Sequence, residues 1–111
     1  MIARTWRGRA ARATADAYCR HFAESVMPHL AAIPGHRGAY LLRRESDGGN
    51  VEFLAVTLWE SMETIKAFAG PDPEVAVVEP EARAVLADFD GFARHYEVVC
   101  RRDPVGEAAA P

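Results

Sequence analysis

Cysteine and long apolar runs are both scarce in this chain of 111 residues. Its 2 cysteines, Cys19 and Cys100, form no Cys-x-x-Cys pair, so a structural zinc site is not predicted. No stretch approaches the ~20 apolar residues of a membrane helix, and arginines interrupt every early apolar run that a signal peptide would need. We therefore expect a cytoplasmic protein with reduced thiols and no membrane partner.

The sequence also lacks the motifs of several enzyme classes. The Gly48-Gly49 pair belongs to a turn and not to a phosphate-binding loop, and there is no Gly-x-Ser-x-Gly elbow. Nucleotide cofactors and serine hydrolysis are therefore not expected. The net charge of -3 and the pI near 5.8 argue against a nucleic-acid partner.

The composition is that of one small globular domain, with 50% hydrophobic and 26% charged residues. We predict a single domain over residues 1–100. The remaining segment, 101–111, has too little apolar surface to pack strongly and is predicted to be a disordered tail.

Four segments have the composition and alternation of β-strands. The predicted strands are 2–8, 36–45, 51–59 and 92–100. A cluster of turn residues at 46–50 joins the second and third strands into a hairpin.

Two helical regions lie between these strands. Four-residue spacing of apolar side chains predicts the first helix, with members Tyr18, Phe22, Val26 and Leu30. Thr14 is its expected N-cap, and Pro28 should kink or restart it.

The second helical region is predicted to begin at Ser61, to include one or two turns over 74–78, and to resume at Pro80. The order β-α-β-β-α-β is typical of the α+β, ferredoxin-like fold. In that fold a four-stranded antiparallel sheet carries its helices on one face.

The third strand is apolar on both sides. One side carries Leu54, Val56 and Leu58, and the other carries Phe53, Ala55, Thr57 and Trp59. A chain of this length has enough helix to cover one face of the sheet, so the pattern predicts that a second copy covers the other in a C2 homodimer. We expect Phe53→Asp or Ala55→Asp to disrupt this dimer.

Four segments, in order along the chain, carry a resemblance to a known family. They are MIARTWRG at 1–8, PGHRGAYLLRR at 34–44, LWESME at 58–63 and HYEV at 95–98. Together they resemble the antibiotic-biosynthesis-monooxygenase-like proteins over nearly the whole of residues 1–100.

The resemblance implies a dimeric α+β barrel, in which two sheets pack face to face and each subunit keeps a pocket between its sheet and its helices. Some members oxidise polyketide anthrones or quinols with oxygen and no metal or flavin, and others degrade haem. The leading expectation is therefore cofactor-independent oxidation of a small aromatic, anthrone or quinol. The alternatives are a non-enzymatic dimer that binds a small hydrophobic ligand and, third, a haem-binding or haem-degrading protein.

Haem degradation is disfavoured by the residues present. The resemblance implies an Asn on the first strand, with a Trp and a nearby His in the second helical region. The one asparagine of this chain is Asn50, in the hairpin turn, and residues 61–89 contain no Trp or His. Trp6 stands on the first strand instead, and Phe68 in the helical region.

Cofactor-free oxygenation requires a base, a cation that stabilises the substrate anion, and an aromatic-lined slot. We assign the catalytic roles to His95 as the base and Arg4 as the cation. The candidate substrate-pocket residues are Trp6, Tyr40, Thr57, Trp59 and Tyr96.

Two of these candidates have a structural alternative. Trp59 is expected to be a core residue at the end of a buried strand, and Tyr40 a core residue with its hydroxyl at the rim. For Arg4 and Trp6, which share one side of the strand, an anion pocket and a cation–π pair at the dimer surface both stay open.

The four histidines differ in their expected placement. His95 and Tyr96 are adjacent on a strand, so only one of them can line a given pocket. His21 lies beside the apolar stripe of the first helix and is interpreted as solvated. His29 and His36 could edge a pocket.

Overall fold

The computed structural model describes residues 1–102, in which five strands and four helices are assigned. The strands are β1 Ile2–Ala11, β2 His36–Glu45, β3 Asn50–Trp59, β4 Asp88–Phe89 and β5 Arg94–Glu97. The helices are α1 Arg12–His21, α2 Met27–Ala31, α3 Met62–Ala69 and α4 Pro80–Val85, with a π-helical turn at Phe22–Val26 and a 3-10 turn at Asp47–Gly49. In this described part no helix is long and apolar enough to cross a membrane. The tail prediction for 101–111 lies almost wholly outside the described residues.

The strands form one antiparallel sheet in the order β2-β3-β1, and both β4 and β5 pair with the free side of β1. The helices cover one face. The predicted α+β, ferredoxin-like fold is therefore confirmed, with one correction at the edge of the sheet. The predicted strand 92–100 is reduced to β5, and the additional short strand β4 precedes it, outside the predicted strands.

The last strand is divided because the chain leaves the sheet at Asp90. The Asp90 amide still bonds to the Arg7 carbonyl, but residues 91–93 turn away and pair with 74–76. The Ala76 amide donates to the Gly91 carbonyl at 3.0 Å, and the Ala93 amide donates to the Glu74 carbonyl at 2.7 Å. The helical turns predicted over 74–78 are absent, because the backbone of 74–76 pairs with 91–93.

Local signals located most other elements. β2 has the predicted bounds, Pro80 begins α4, and Ser61 caps α3 through a reciprocal pair of hydrogen bonds with Thr64. Thr14 is not an N-cap, because β1 runs to Ala11 and α1 begins at once. The Thr14 hydroxyl instead donates to the Val85 carbonyl and ties α1 to α4.

The restart predicted at Pro28 takes the form of the π-helical turn followed by α2. A repeat of four residues exceeds the 3.6 residues of an α-helical turn, so a stripe with that spacing drifts around a regular helix. The wider π turn winds less per residue and opposes this drift. Phe22 and Leu30 are consequently both buried against the sheet.

The two faces of the sheet differ in their cover. The side of β3 that faces the helices is fully buried, and its members are Val51, Phe53, Ala55, Thr57 and Trp59. The opposite side is half-buried, with Leu54, Val56 and Leu58. The expectation that Asp at Phe53 or Ala55 would test a dimer surface is therefore wrong, since both side chains belong to the core.

The core consists of two hydrophobic clusters under the helices. One centres on Tyr18 and Phe53, and the other contains Leu30, Trp59 and Ile65. The residues of the sheet between them include the polar pair Arg4 and Thr57, which are cross-strand neighbours. A gap in apolar packing therefore falls at Arg4.

Gly35→Ala should destabilise the fold more than Gly48→Ala. Both glycines have positive φ, +90° and +77°, which costs an alanine ~1–2 kcal/mol. A Cβ at Gly35 would also lie 2.3 Å from the Thr64 Cγ2 atom, whereas at Gly48 nothing lies within 4 Å. Overpacking adds ~1–3 kcal/mol at Gly35 alone. Chemical denaturation measures both free energies of unfolding, and equal losses would contradict this packing argument.

Candidate functional site

A small cavity lies between the sheet and the helices, where the two hydrophobic clusters meet. Its volume is about 60 Å³. The lining is mostly apolar, with Tyr18, Phe22, Val26 and Leu30 from the first helical region and Val77 and Val78 from the segment before α4. The polar groups among the lining residues belong to Arg4, Trp6, Tyr18, His21, Thr57 and Glu79.

Arg4 is the most unusual of these residues, because its side chain is a buried charge with a relative exposure of only 6%. Its Nη2 atom donates to the carbonyl of Pro73 at 3.1 Å and to that of Val75 at 3.0 Å. The Nε atom is buried and has no hydrogen-bond partner. Within residues 1–102 no carboxylate pairs with Arg4, and its guanidinium lies 5.6 Å from the centre of the Phe68 ring.

Burial has an electrostatic consequence for Arg4. Loss of hydration disfavours the charged guanidinium and lowers its pKa from 12.5 to about 10. Near neutral pH the side chain therefore remains charged. The fold thus holds an uncompensated positive charge beside an apolar cavity, which is a favourable place for an anionic ligand atom.

Trp6 lines the same cavity, two positions along β1. Its indole Nε1 donates to the Asp90 carbonyl at 2.8 Å, where the chain leaves the sheet. Arg4 and Trp6 both lie on the face of the sheet that the helices cover, where Arg4 contacts Phe68.

Thr57 lies opposite Arg4 on β3 and lines the cavity. Trp59 does not line it. Its indole is fully buried, donates from Nε1 to the Thr57 hydroxyl at 2.8 Å, and stacks on Phe68 with ring centres 5.7 Å apart. Trp59 therefore supports two cavity residues from behind.

His95 is the cross-strand neighbour of Arg4 on β5 and so lies on the same face of the sheet. Burial, with a smaller effect of the Arg4 charge, lowers the pKa of His95. However, His95 is not among the lining residues of the cavity. The structure brings the two assigned catalytic residues together but puts only Arg4 at the cavity.

Tyr40 and Tyr96 do not line this cavity, which corrects their placement. Tyr40 pairs with Val56 on the open face of the sheet and is 58% exposed. Tyr96 pairs with Ala3 on that same open face and is 52% exposed. Tyr40 lies on the open face because a β-bulge between His36 and Gly38 inserts one extra residue into β2. The later side chains of β2 therefore lie on the opposite face from the one that simple alternation from His36 would give them.

His21 is a cavity residue that sequence reasoning missed. It is the last residue of α1, lines the cavity, and has a buried Nε2 atom with no hydrogen-bond partner. The interpretation as a solvated residue is wrong. Its spacing of three residues from Tyr18, which puts both on one side of the helix, was the signal that could have found it.

Metal-ligating side chains are not clustered in the part of the chain that the structure describes. Across the described range 1–102, no group of three or more His, Cys, Asp or Glu side chains is arranged to hold a metal ion.

Comparison with known proteins identifies the family. The family model of the antibiotic biosynthesis monooxygenases matches residues 1–73, about two thirds of the chain. The chain belongs to the antibiotic biosynthesis monooxygenase family. No curated protein matches the sequence significantly.

Solved structures share this fold at low sequence identity. A proposed antibiotic biosynthesis monooxygenase from Bacillus cereus is 16% identical with a TM-score of 0.65, covering 94% of this chain and 96% of its own. The haem degrader MhuD from Mycobacterium tuberculosis, solved with two haems in its active site, is 21% identical with a TM-score of 0.62 and covers 93% and 100%. The ActVA-Orf6 monooxygenase of Streptomyces coelicolor, solved with nanaomycin D, is 13% identical with a TM-score of 0.59 and covers 93% and 91%. At these identities the likeness shows the fold alone.

Trp59→Phe should lower stability while leaving the cavity usable. The change removes the hydrogen bond to Thr57 and part of the ring stacked on Phe68. The free energy of unfolding should fall by ~1–3 kcal/mol, less than the ~3–5 kcal/mol of full truncation. Chemical denaturation measures this loss. Unchanged stability together with lost ligand binding would instead make Trp59 a binding residue.

Proposed function

We propose that this family member catalyses the cofactor-independent oxidation, by dioxygen, of an electron-rich planar aromatic of the anthrone or quinol type. The reaction takes place in the cavity of each subunit. The observation that carries the proposal is the buried charge of Arg4, which pairs with no carboxylate of the described residues and lies beside an apolar and aromatic lining.

The chemistry needs a stabilised substrate anion. Loss of a proton converts an anthrone or a quinol into an enolate or phenolate, which can pass electrons to dioxygen. A cation in a site with little water stabilises such an anion far more than it would in solution. Arg4 has an unpartnered Nε atom available for this contact.

The overall reactions balance without a further reductant. For an anthrone, one CH₂ group and O₂ give a carbonyl group and water. For a quinol, two hydrogens and O₂ give the quinone and hydrogen peroxide. In both reactions the substrate supplies all the electrons, and dioxygen is the only oxidant.

The cavity must open to admit such a substrate. A volume of about 60 Å³ holds a few water molecules and not a three-ring molecule. The segment 70–79 forms one wall and contains no helix or paired strand beyond the bridge at Val75. Arg4 donates hydrogen bonds to the Pro73 and Val75 carbonyls, both of which belong to this wall. A substrate anion that binds the guanidinium competes with these bonds, so substrate binding and movement of the wall are coupled.

Haem is not part of the proposal, because the residues present do not reproduce the donor set that the resemblance implies. On β1 the indole of Trp6 faces the cavity and is already bonded to Asp90. In α3, Phe68 is packed between Trp59 and Arg4. Binding of a small hydrophobic ligand without turnover is the alternative that the activity assay distinguishes.

We also propose that the working unit is a C2 homodimer formed through the open face of the sheet. This face presents the half-buried Leu54, Val56 and Leu58, together with Tyr40 and Leu42, which are exposed to 58% and 50%. Apolar side chains in such a continuous patch favour cover by another protein surface. A second copy offers the same patch and so gives a self-complementary interface.

Oxygen uptake with anthrone or a hydroquinone should be catalysed by the purified protein, and Arg4→Gln should reduce it. Removal of a cation that stabilises the anion costs ~2–4 kcal/mol in the transition state, which is a fall of about 30- to 1,000-fold in kcat/KM. The matched control is Arg20→Gln, an exposed arginine of α1 that should keep the rate. A wild-type rate in folded Arg4→Gln would remove Arg4 from the site, and no uptake above the protein-free blank would leave ligand binding as the function.

Leu54→Asp should convert the protein from a dimer to a folded monomer. A charge on the open face would be buried without a partner in the dimer, at a cost of several kcal/mol per interface. Light scattering gives the mass, and circular dichroism checks the fold. Ala13→Asp, an exposed change at the start of α1, is the control that should remain dimeric. A monomeric wild-type protein at micromolar concentration would contradict the dimer.

A further inference from the structure

The histidines of this chain are not equivalent with respect to the cavity. His29 is exposed on α2 and lies beside Phe68, His36 packs edge-on against Trp59, and His95 lies beyond Arg4 on β5. All four histidines fall within the described residues, and His21 alone is a lining residue of the cavity.

The imidazole of His21 is held with one nitrogen free. Its ring lies 6.4 Å from that of Tyr18, at a tilt of 44°, and its Nε2 atom is buried without a hydrogen-bond partner. A buried polar atom without a partner destabilises the fold, so such atoms are rare outside functional sites. Among the described residues His36 Nδ1 and His95 Nε2 are also buried without a partner, so the feature that distinguishes His21 is its place in the cavity lining. The position at the junction of α1 and the π turn agrees with this, since π turns occur frequently at functional sites.

The other charged and titratable groups around the cavity come from two further segments and from α1 itself. Arg4 reaches it from β1, Glu79 from the segment before α4, and Tyr18 from the same helix as His21. Arg4 also has an unpartnered nitrogen, Nε. The cavity therefore offers one cation for an anion and one imidazole nitrogen for a proton.

We propose that His21, through Nε2, is the proton acceptor of this site, an inference that rests on the oxidation proposed above. A substrate C–H or O–H bond breaks, its proton goes to Nε2, and its electron pair stays on the substrate opposite Arg4. With an anthrone, the carbanion carbon forms a bond to dioxygen, and the imidazolium returns its proton to the terminal oxygen to give a hydroperoxide. Loss of the second C–H proton then breaks the O–O bond, which leaves the carbonyl and water. With a quinol, dioxygen takes two electrons, the imidazolium proton and the proton of the second hydroxyl, and it leaves as hydrogen peroxide. In this arrangement His95 is not the base that the sequence suggested.

The test separates proton transfer from oxidation. In D₂O without oxygen, anthrone exchanges the hydrogens of its CH₂ group for deuterium once a base removes a proton, and mass spectrometry follows this exchange. His21→Gln should slow the catalysed exchange at least ~100-fold, since positioned general bases contribute about 10²–10⁴-fold. It should also remove the fall in exchange rate at acid pH that protonation of an imidazole causes.

Two variants serve as comparisons. His29→Gln removes an exposed imidazole from the same helical region and should leave both the rate and its pH profile unchanged. His95→Gln should keep the acid limb of the profile. Binding of 1,8-dihydroxyanthraquinone, which is not oxidised, should change less than tenfold in His21→Gln, showing that the cavity is intact.

Three results would overturn the assignment. The first is an acid limb that persists in His21→Gln, and the second is a limb that disappears in His95→Gln. The third is a Soret band on haemin titration that His21→Gln abolishes, because the imidazole would then be an iron ligand. Exchange that depends on His21 without any oxygen uptake would support His21 and contradict the oxidation alone. Oxygen uptake by the wild type, with exchange unaffected in His21→Gln, would support the oxidation and contradict the assignment of His21.

Discussion

A buried arginine without a carboxylate partner is the constraint on which the site depends. Arg4 interrupts the core between the two hydrophobic clusters, and within residues 1–102 only the carbonyls of Pro73 and Val75 accept hydrogen bonds from it. Burying an unpaired charge is expensive, and replacement by an apolar residue often stabilises a protein. An anionic ligand atom beside the guanidinium would offset that cost. Arg4 also holds the wall 70–79 over the cavity, because its hydrogen bonds go to two carbonyls of that wall.

The rest of the architecture can be understood as support for this charge. The π turn keeps the stripe of the first helical region over the sheet, and His21, the last residue of α1 before this turn, lines the cavity. Trp59 lies behind the site, where it stacks on the cavity residue Phe68 and donates a hydrogen bond to Thr57. The division of the last strand at Asp90 lets 91–93 pair with 74–76, so the edge of the sheet anchors the wall that Arg4 holds.

Local signals predicted the fold, whereas the site depended on contacts between distant segments. The bounds of β2, the cap at Ser61 and the start at Pro80 follow from nearby residues. The placement of Tyr40 failed because a bulge at the start of β2 changes which face its side chain occupies. His21 was missed because the nearby Arg20 and Glu24 suggested a solvated side chain, while other lining residues of its cavity come from β1, β3 and the segment before α4.

The most direct test of the central claim is the ionisation of a ligand bound at Arg4. The visible spectrum of 1,8-dihydroxyanthraquinone reports whether its hydroxyl groups are ionised, so a titration gives the pKa of the free and the bound ligand. If the Arg4 charge stabilises an anion, binding should lower the first pKa of this ligand by one unit or more, and Arg4→Gln should remove the shift. An equal ligand pKa in wild type and Arg4→Gln, at saturating protein, would contradict the account.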